Sequence, residues 1–465
     1  MLNKITLSII ISFFIIFHNF SSLNAEMNMF KNIEVKSDFP NGINFIVETE
    51  NNINIKSIAV RYTLGQQKTS IYEYLDKNVN SDNIWNLYLR TNTREKYIPP
   101  GTIVNYNFEI TDLSNKIYRT QQEIFIYSDA RFKWKNISNN MINVSYHGPV
   151  QSRAQLVLDT IVETIDRMSP LLGISISEPI RVTMYNNIPE MVVALPPSSD
   201  TVRTQLVTQG QAYPDLGVLL ILGNSASVVG TSSHEITHIL NHRAADSVYR
   251  SLPSWLDEGL AEYGNSSPSL TYDKALEYAI NNDLIIPITL QNNMPGDADE
   301  IIIFYGQAMS IVDFMINNYG EENLRNLLIN LKEGFNIDKA LENVYGFNRI
   351  ELENNWRNSL GIPEYKPSKK LTSLPTAIPI PTIKPYTLDN QSSKINNDKD
   401  IKKPLTSSKS LNKDDNSIIK EKTNQNKDTN GCSFNNVKSN KEFSIILLAL
   451  SPIIFLLKRK KGIKK

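Results

Sequence analysis

The hydrophobic period of this chain changes near residue 130, so the two sides of that point cannot share one fold. Before it, apolar residues alternate: Ile43, Phe45 and Val47; Ile58, Val60 and Tyr62; Val104, Tyr106, Phe108 and Ile110. Alternation sends successive side chains to opposite faces of a strand. The runs are separated by turn-forming clusters such as Asp38-Phe39-Pro40-Asn41-Gly42 and Pro99-Pro100-Gly101. From about 131 the pattern is mixed. Strands are expected at 142–147, 180–185 and 216–222, with a helix over 151–169, and after 232 nearly everything reads as helix, including 301–318, 322–332 and 350–360.

The expected architecture is therefore multidomain. An Ig-like β-sandwich over 27–130 precedes an α+β domain over 131–363 whose C-terminal half is mostly helical. The 465 residues suit two or three domains. No internal repeat is visible.

The ends of the chain carry other signals. Lys4, the apolar run Ile5 to Phe17 and Leu23-Asn24-Ala25 have the pattern of a signal peptide over 1–25. Residues 364–442 are rich in Lys, Asn, Ser, Asp and Pro and lack an apolar pattern, so a disordered linker is expected there. Phe443 to Leu457 is apolar and uncharged, which suggests a membrane-spanning or sorting helix over 443–457. The basic tail 458–465 would stay cytoplasmic. Exported, cell-surface or membrane-anchored protein with its body outside is the expected outcome. Gly431-Cys432 before that helix is either part of a processed or lipidated sorting tail or an incidental cysteine beside a plain anchor.

Net charge is zero, from 48 basic and 48 acidic residues, but the balance is a cancellation. Residues 364–442 hold 15 Lys against 9 acids, and the last eight residues hold 6 basic ones, so the rest of the chain is acidic. Such a body does not suit nucleic acid. A single cysteine, Cys432, rules out an internal disulfide framework and a Cys-based zinc knuckle.

Three of the five histidines fall at 234, 238 and 242. In His234-Glu235-Ile236-Thr237-His238 the two imidazoles lie four apart and share a helix face, where both can reach one metal ion with Glu235 beside them. A capping box, Ser232-x-x-Glu235, would account for the glutamate without chemistry, though for neither histidine. Pro253 opens a second helix carrying Trp255-Leu256-Asp257-Glu258-Gly259-Leu260-Ala261-Glu262-Tyr263. Glu258 can complete the metal shell, and Glu262, one turn on, can accept a hydrogen bond from a ligand imidazole. An ordinary acidic helix face is the alternative. Trp255 and Leu256 argue for a packed segment, where carboxylates are rare without a partner.

HEITH followed by WLDEGLAEY resembles the gluzincin metallopeptidases of the peptidase MA superfamily. The resemblance implies one zinc ion per chain on His234, His238 and Glu258, with Glu235 as general base. Phe304-Tyr305-Gly306-Gln307-Ala308, expected to open a helix running to Tyr319-Gly320, resembles the segment that supplies a transition-state tyrosine in the aminopeptidase branch, which implies that role for Tyr305. The order of sandwich, peptidase domain, stalk and tail resembles bacterial exported peptidase MA-like proteins. Residues 200–233 lack the Gly-x-Met-Glu-Asn signature by which that branch binds an amino terminus, so cleavage within a peptide or protein substrate is expected over aminopeptidase action. The nearest counterpart is Gly210-Gln211-Ala212, where a substrate could add as an edge strand.

His242 lacks the glycine and spacing of a third-histidine ligand and is expected at the surface or behind the ligands. His147, in Tyr146-His147-Gly148, is expected to serve packing or a turn, an approach to the site as an oxyanion donor being the other option. A non-enzymatic surface binding module with a structural or vestigial zinc site is the competing function, and hydrolysis of a non-peptide amide or ester a third.

Overall fold

Alternation over the first region resolves into two antiparallel sheets. In the computed structural model, which describes residues 29–50, 54–93, 96–197, 208–247 and 252–367 together with the backbone of 445–448, one sheet has the order β1-β2-β6-β5. Its strands are β1 (Phe30–Asp38), β2 (Gly42–Thr49), β6 (Ile84–Arg90) and β5 (Asp76–Lys77). The other joins β4 (Ile71–Tyr74), β3 (Ile55–Leu64), β7 (Ile103–Asp112) and β8 (Ile117–Arg119), with β9 (Glu123–Ile126) also paired to β7. The inward residues are those the period selected. Phe45 from one sheet meets Tyr62 and Phe108 from the other, with ring centroids 6.4 Å apart in each pair.

The second region is built on a mixed sheet. β10 (Lys135–Asn139) and β11 (Ile142–Tyr146) form a hairpin; β11, β12 (Ile180–Tyr185) and β14 (Val218–Leu222) run parallel; β13 (Thr208–Tyr213) returns antiparallel to β14. Parallel neighbours require crossovers. α1 (Gln151–Leu172) supplies the first and packs on one face of the sheet together with α3 (Val228–Ala245). The short α2 (Ile188–Val192) lies in the next connection. Six further helices follow: α4 (Ser254–Gly264), α5 (Leu270–Asn281), α6 (Ala298–Tyr319), α7 (Glu321–Lys332), α8 (Ile337–Tyr345) and α9 (Arg349–Ser359). Leu256, Leu260, Phe304, Leu327, Leu341 and Trp356 close a separate helical core there.

The change of period near 130 is not a break in the packing. The apolar cluster that holds Phe45, Tyr62 and Phe108 continues through Tyr185, Tyr213, Val218 and Leu220 of the mixed sheet. The sheet is thus covered on one face by the sandwich and on the other by α1 and α3. Burial on both faces explains why Val218–Leu222 is an unbroken apolar run and not an alternating one.

Expected elements differ from observed ones mainly at their ends. The helix carrying Tyr305 begins at Ala298, where the Asp297 side chain accepts from the Asp299 and Glu300 amides, and not at Phe304. An apolar helix over 443–457 is corrected where it is described: Ile445–Leu448 is a strand, β15, antiparallel to β13, with Ile446 opposite Gln211 and Ile445 opposite Ala212. The outer edge of β13 offers a row of backbone donors and acceptors that a short aliphatic run can satisfy. No helix among the described residues is long and apolar enough to cross a membrane. The expected signal peptide, Cys432, the linker beyond 367 and the basic tail lie outside the described residues.

Candidate metal centre

α3 begins at Val228, so Ser232 stands inside the helix and caps nothing. The capping-box account of Glu235 therefore fails. Every residue from Gly230 to Asn241 is buried, between β13 and β14 on one side and α1 and α4 on the other. A helix buried all round needs a reason for each polar side chain it carries.

Two of those side chains converge with one from α4. The Nε2 atoms of His234 and His238 lie 3.0 Å apart, and Glu258 Oε2 is 3.3 Å from the first and 3.5 Å from the second. Each imidazole has a carboxylate at its other nitrogen. Glu262 Oε1 is 2.8 Å from His234 Nδ1, and Asp257 Oδ1 is 3.1 Å from His238 Nδ1. A carboxylate at Nδ1 holds the proton there and leaves the Nε2 lone pair free. Two lone pairs and a carboxylate oxygen then face one another in a fully buried space, an arrangement that a divalent cation satisfies. Two imidazole nitrogens and one carboxylate oxygen are a donor set suited to zinc with a fourth position open. The surrounding carboxylates also favour positive charge at this place. Burial alone would pull both imidazoles down, yet Glu262 and Glu258 around His234, and Asp257 and Glu258 around His238, raise both above the ordinary histidine range.

Glu235 lies beside this group with both carboxylate oxygens buried and unpartnered. Burial pushes its carboxyl up to about 7, against the pull of the neighbouring His234 and His238. β13 passes directly over it. A Cβ on Gly210 would sit 2.6 Å from Glu235 Cγ and 2.5 Å from Thr231 Cγ2, so this strand position tolerates only glycine. The expected substrate strand Gly210-Gln211-Ala212 is therefore at the site, and Gln211 is buried with neither end of its amide partnered.

Tyr305, from α6, is also buried with an unpartnered hydroxyl, its ring 6.1 Å from that of His234. Its approach depends on Gly259, where a Cβ would meet the Ala308 carbonyl oxygen at 2.5 Å. The glycine in WLDEGLA lets α4 touch the α6 backbone.

All nine residues singled out for the site, from Gly210 to Tyr305, are thus brought together. His147 is not among them: it stacks on Phe132 at 4.1 Å, and its Nε2 is 2.9 Å from Glu190 Oε2. His242 lies behind the ligands. Two neighbours were missed. Asp257 was visible as an acid beside Glu258 but gave no sign of which histidine it would serve. Tyr272 of α5, whose ring stacks on Tyr305 at 5.3 Å, carried no sequence signal.

The model of the Peptidase MA superfamily matches residues 160–361, and that part of the chain is a peptidase MA-like domain. No curated protein matches the chain. Among solved structures, it is similar to an aminopeptidase N family protein from Idiomarina loihiensis, at 12% identity over 70% of this chain and 71% of that one, with a TM-score of 0.27. BhCBM56, as a Br derivative, is 8% identical over 21% of this chain and 92% of its own, at a TM-score of 0.17. Purple acid phosphatase PPD1 from yellow lupin (Lupinus luteus) seeds is 8% identical over 33% and 28%, also at 0.17. None of these three bears on what the chain does.

Proposed function

We propose that the chain is a zinc-dependent metallopeptidase that cleaves within peptide or protein chains. The observation that carries this reading is the convergence of His234 Nε2, His238 Nε2 and Glu258 Oε2, all buried and within 4.8 Å of one another, beside the unpartnered carboxylate of Glu235.

One zinc ion per chain, held by His234, His238 and Glu258, would supply Lewis acidity towards a water and the scissile carbonyl. Glu235 takes a proton from the attacking water and returns it to the leaving amine. Tyr305 donates its hydroxyl to the oxygen on which charge develops. Glu262 keeps His234 in the tautomer that presents Nε2. The substrate lies along the outer edge of β13 at Gly210–Ala212, an edge that accepts the backbone of Ile445–Leu448 as a strand. Such pairing reads main chain at several successive residues and does not require a free amino terminus. The Ig-like classification of the sandwich, and export with the catalytic domain outside, belong to the same proposal, on the sequence patterns alone.

Metal analysis of the purified chain, followed by a peptide-library digest with and without chelator, tests it. One equivalent of zinc and chelator-sensitive cleavage are expected. Glu235→Gln should keep the zinc and lose about 10²–10⁴-fold in hydrolysis. Zinc with no cleavage of any library member would favour a binding module instead.

A further inference from the structure

The third histidine of the run does not reach the metal centre, yet it is not idle. His234, His238 and His242 stand at four-residue spacing on α3. The first two turn their Nε2 atoms towards Glu258, whereas His242 Nε2 lies 3.7 Å from Asp257 Oδ2, and its Nδ1 pairs with Asp246 at the helix end. Asp257 is 3% exposed and its other oxygen serves His238 Nδ1 at 3.1 Å and the Asn241 amide at 2.9 Å. A row of alternating imidazoles and carboxylates therefore runs from the buried ligand outward: His238, Asp257, His242, Asp246. The other ligand is held differently. Behind His234 stands Glu262, whose second oxygen accepts, among the described residues, only from the neutral amide of Asn265 at 3.0 Å.

We infer that His242 is a positioning residue for the metal centre: by holding Asp257 Oδ2 it keeps Oδ1 on His238 Nδ1, and so keeps His238 Nε2 aimed at the position shared with His234 and Glu258. A buried carboxylate with one free oxygen can rotate about its χ2 torsion or draw in water, and an imidazole hinged on it inherits that freedom. With His242 in place the second oxygen faces an imidazole within ion-pair range, which favours the rotamer that keeps Oδ1 on His238. The inference rests on the metallopeptidase reading above. A plain helix-end pairing of His242 with Asp246, favourable to the helix dipole, is the alternative, and it makes no demand on Asp257.

The test is zinc affinity by chelator competition, with the absorption spectrum of the cobalt(II)-substituted protein as a report on ligand geometry. His242→Ala should weaken zinc binding about tenfold, at the low end for a group behind a ligand, and shift the cobalt bands. His242→Gln, whose amide can still donate to Asp257, should restore most of both, and Asp246→Asn, which leaves the Asp257 contact in place, should resemble wild type. Wild-type affinity and an unchanged spectrum in His242→Ala would overturn the inference, as would His242→Gln failing as badly as His242→Ala. Wild-type protein that takes up no zinc would remove the metallopeptidase reading and this inference together; zinc uptake unaffected by His242→Ala removes this inference alone.

Discussion

The core of the sandwich and the α3–α4 pair are both buried, but they treat acidic groups in opposite ways. Inside the sandwich the core is aliphatic and aromatic, and the buried acid where it meets the mixed sheet is served: Asp129 accepts from Arg131 and from Tyr185. Across α3 and α4 the buried set includes His234, Glu235, His238, Asp257, Glu258 and Glu262. Several of their atoms, both Glu235 oxygens and Glu258 Oε2 among them, have no hydrogen-bond partner among the described residues. A buried polar atom left unpaired costs about 1–3 kcal/mol. A fold does not carry several of these in one place for stability, so the contrast separates a region that holds the molecule together from one kept for chemistry.

The sharpest way to break that contrast is through the sandwich. Phe45 is completely buried against Tyr62, Tyr106 and Phe108, so Phe45→Ala should destabilise by about 3–5 kcal/mol. Because its cluster continues into Tyr213 and Val218, thermal melts should show peptidase activity lost in the same transition as the β signal. Two separate transitions would show that the sandwich is an independent spacer.

On the other side of the comparison, removing an unpaired polar atom should leave stability alone and take away rate. Tyr305→Phe is expected to melt within about 1 kcal/mol of wild type, its hydroxyl being unpartnered, and to lose about 10²–10³-fold in kcat. A loss confined to KM would place Tyr305 in substrate binding instead. Glu262→Gln should lower zinc affinity about 10–100-fold by chelator competition. Unchanged affinity would mean that His234 is oriented by packing alone.

The smallest effect concerns pH. Glu235 must be ionised to take a proton, so activity falls as pH drops through its pKa. Burial sets that pKa at about 7 without metal, and a bound dication favours the anion and moves it down. The acid limb of kcat/KM should therefore lie below pH 7. A limb above 7 would mean that another group is the base.

Much of this was legible in the chain. The two-residue and helical periods located the strands and helices to within a few residues, because each period is a local property of backbone geometry. β12 and β14 show the limit of that reading. Their order in the sheet, and the antiparallel return of β13 between them and the site, depend on contacts far apart in sequence. The leading glutamate of HEITH was equally open to a capping role until the helix start at Val228 placed Ser232 inside the helix.

What the sequence by itself determined is the donor set: two histidines four apart must share a helix face, and a glutamate on a following helix can meet them. Only the tertiary structure decided which carboxylate stands behind which imidazole, Glu262 with His234 and Asp257 with His238. The same holds for Gly210 above Glu235 and for the sandwich closing one face of the catalytic sheet. The reason is physical. Helix spacing is fixed within one turn of backbone, whereas the approach of α4 and β13 to α3 is set by the packing of the whole core.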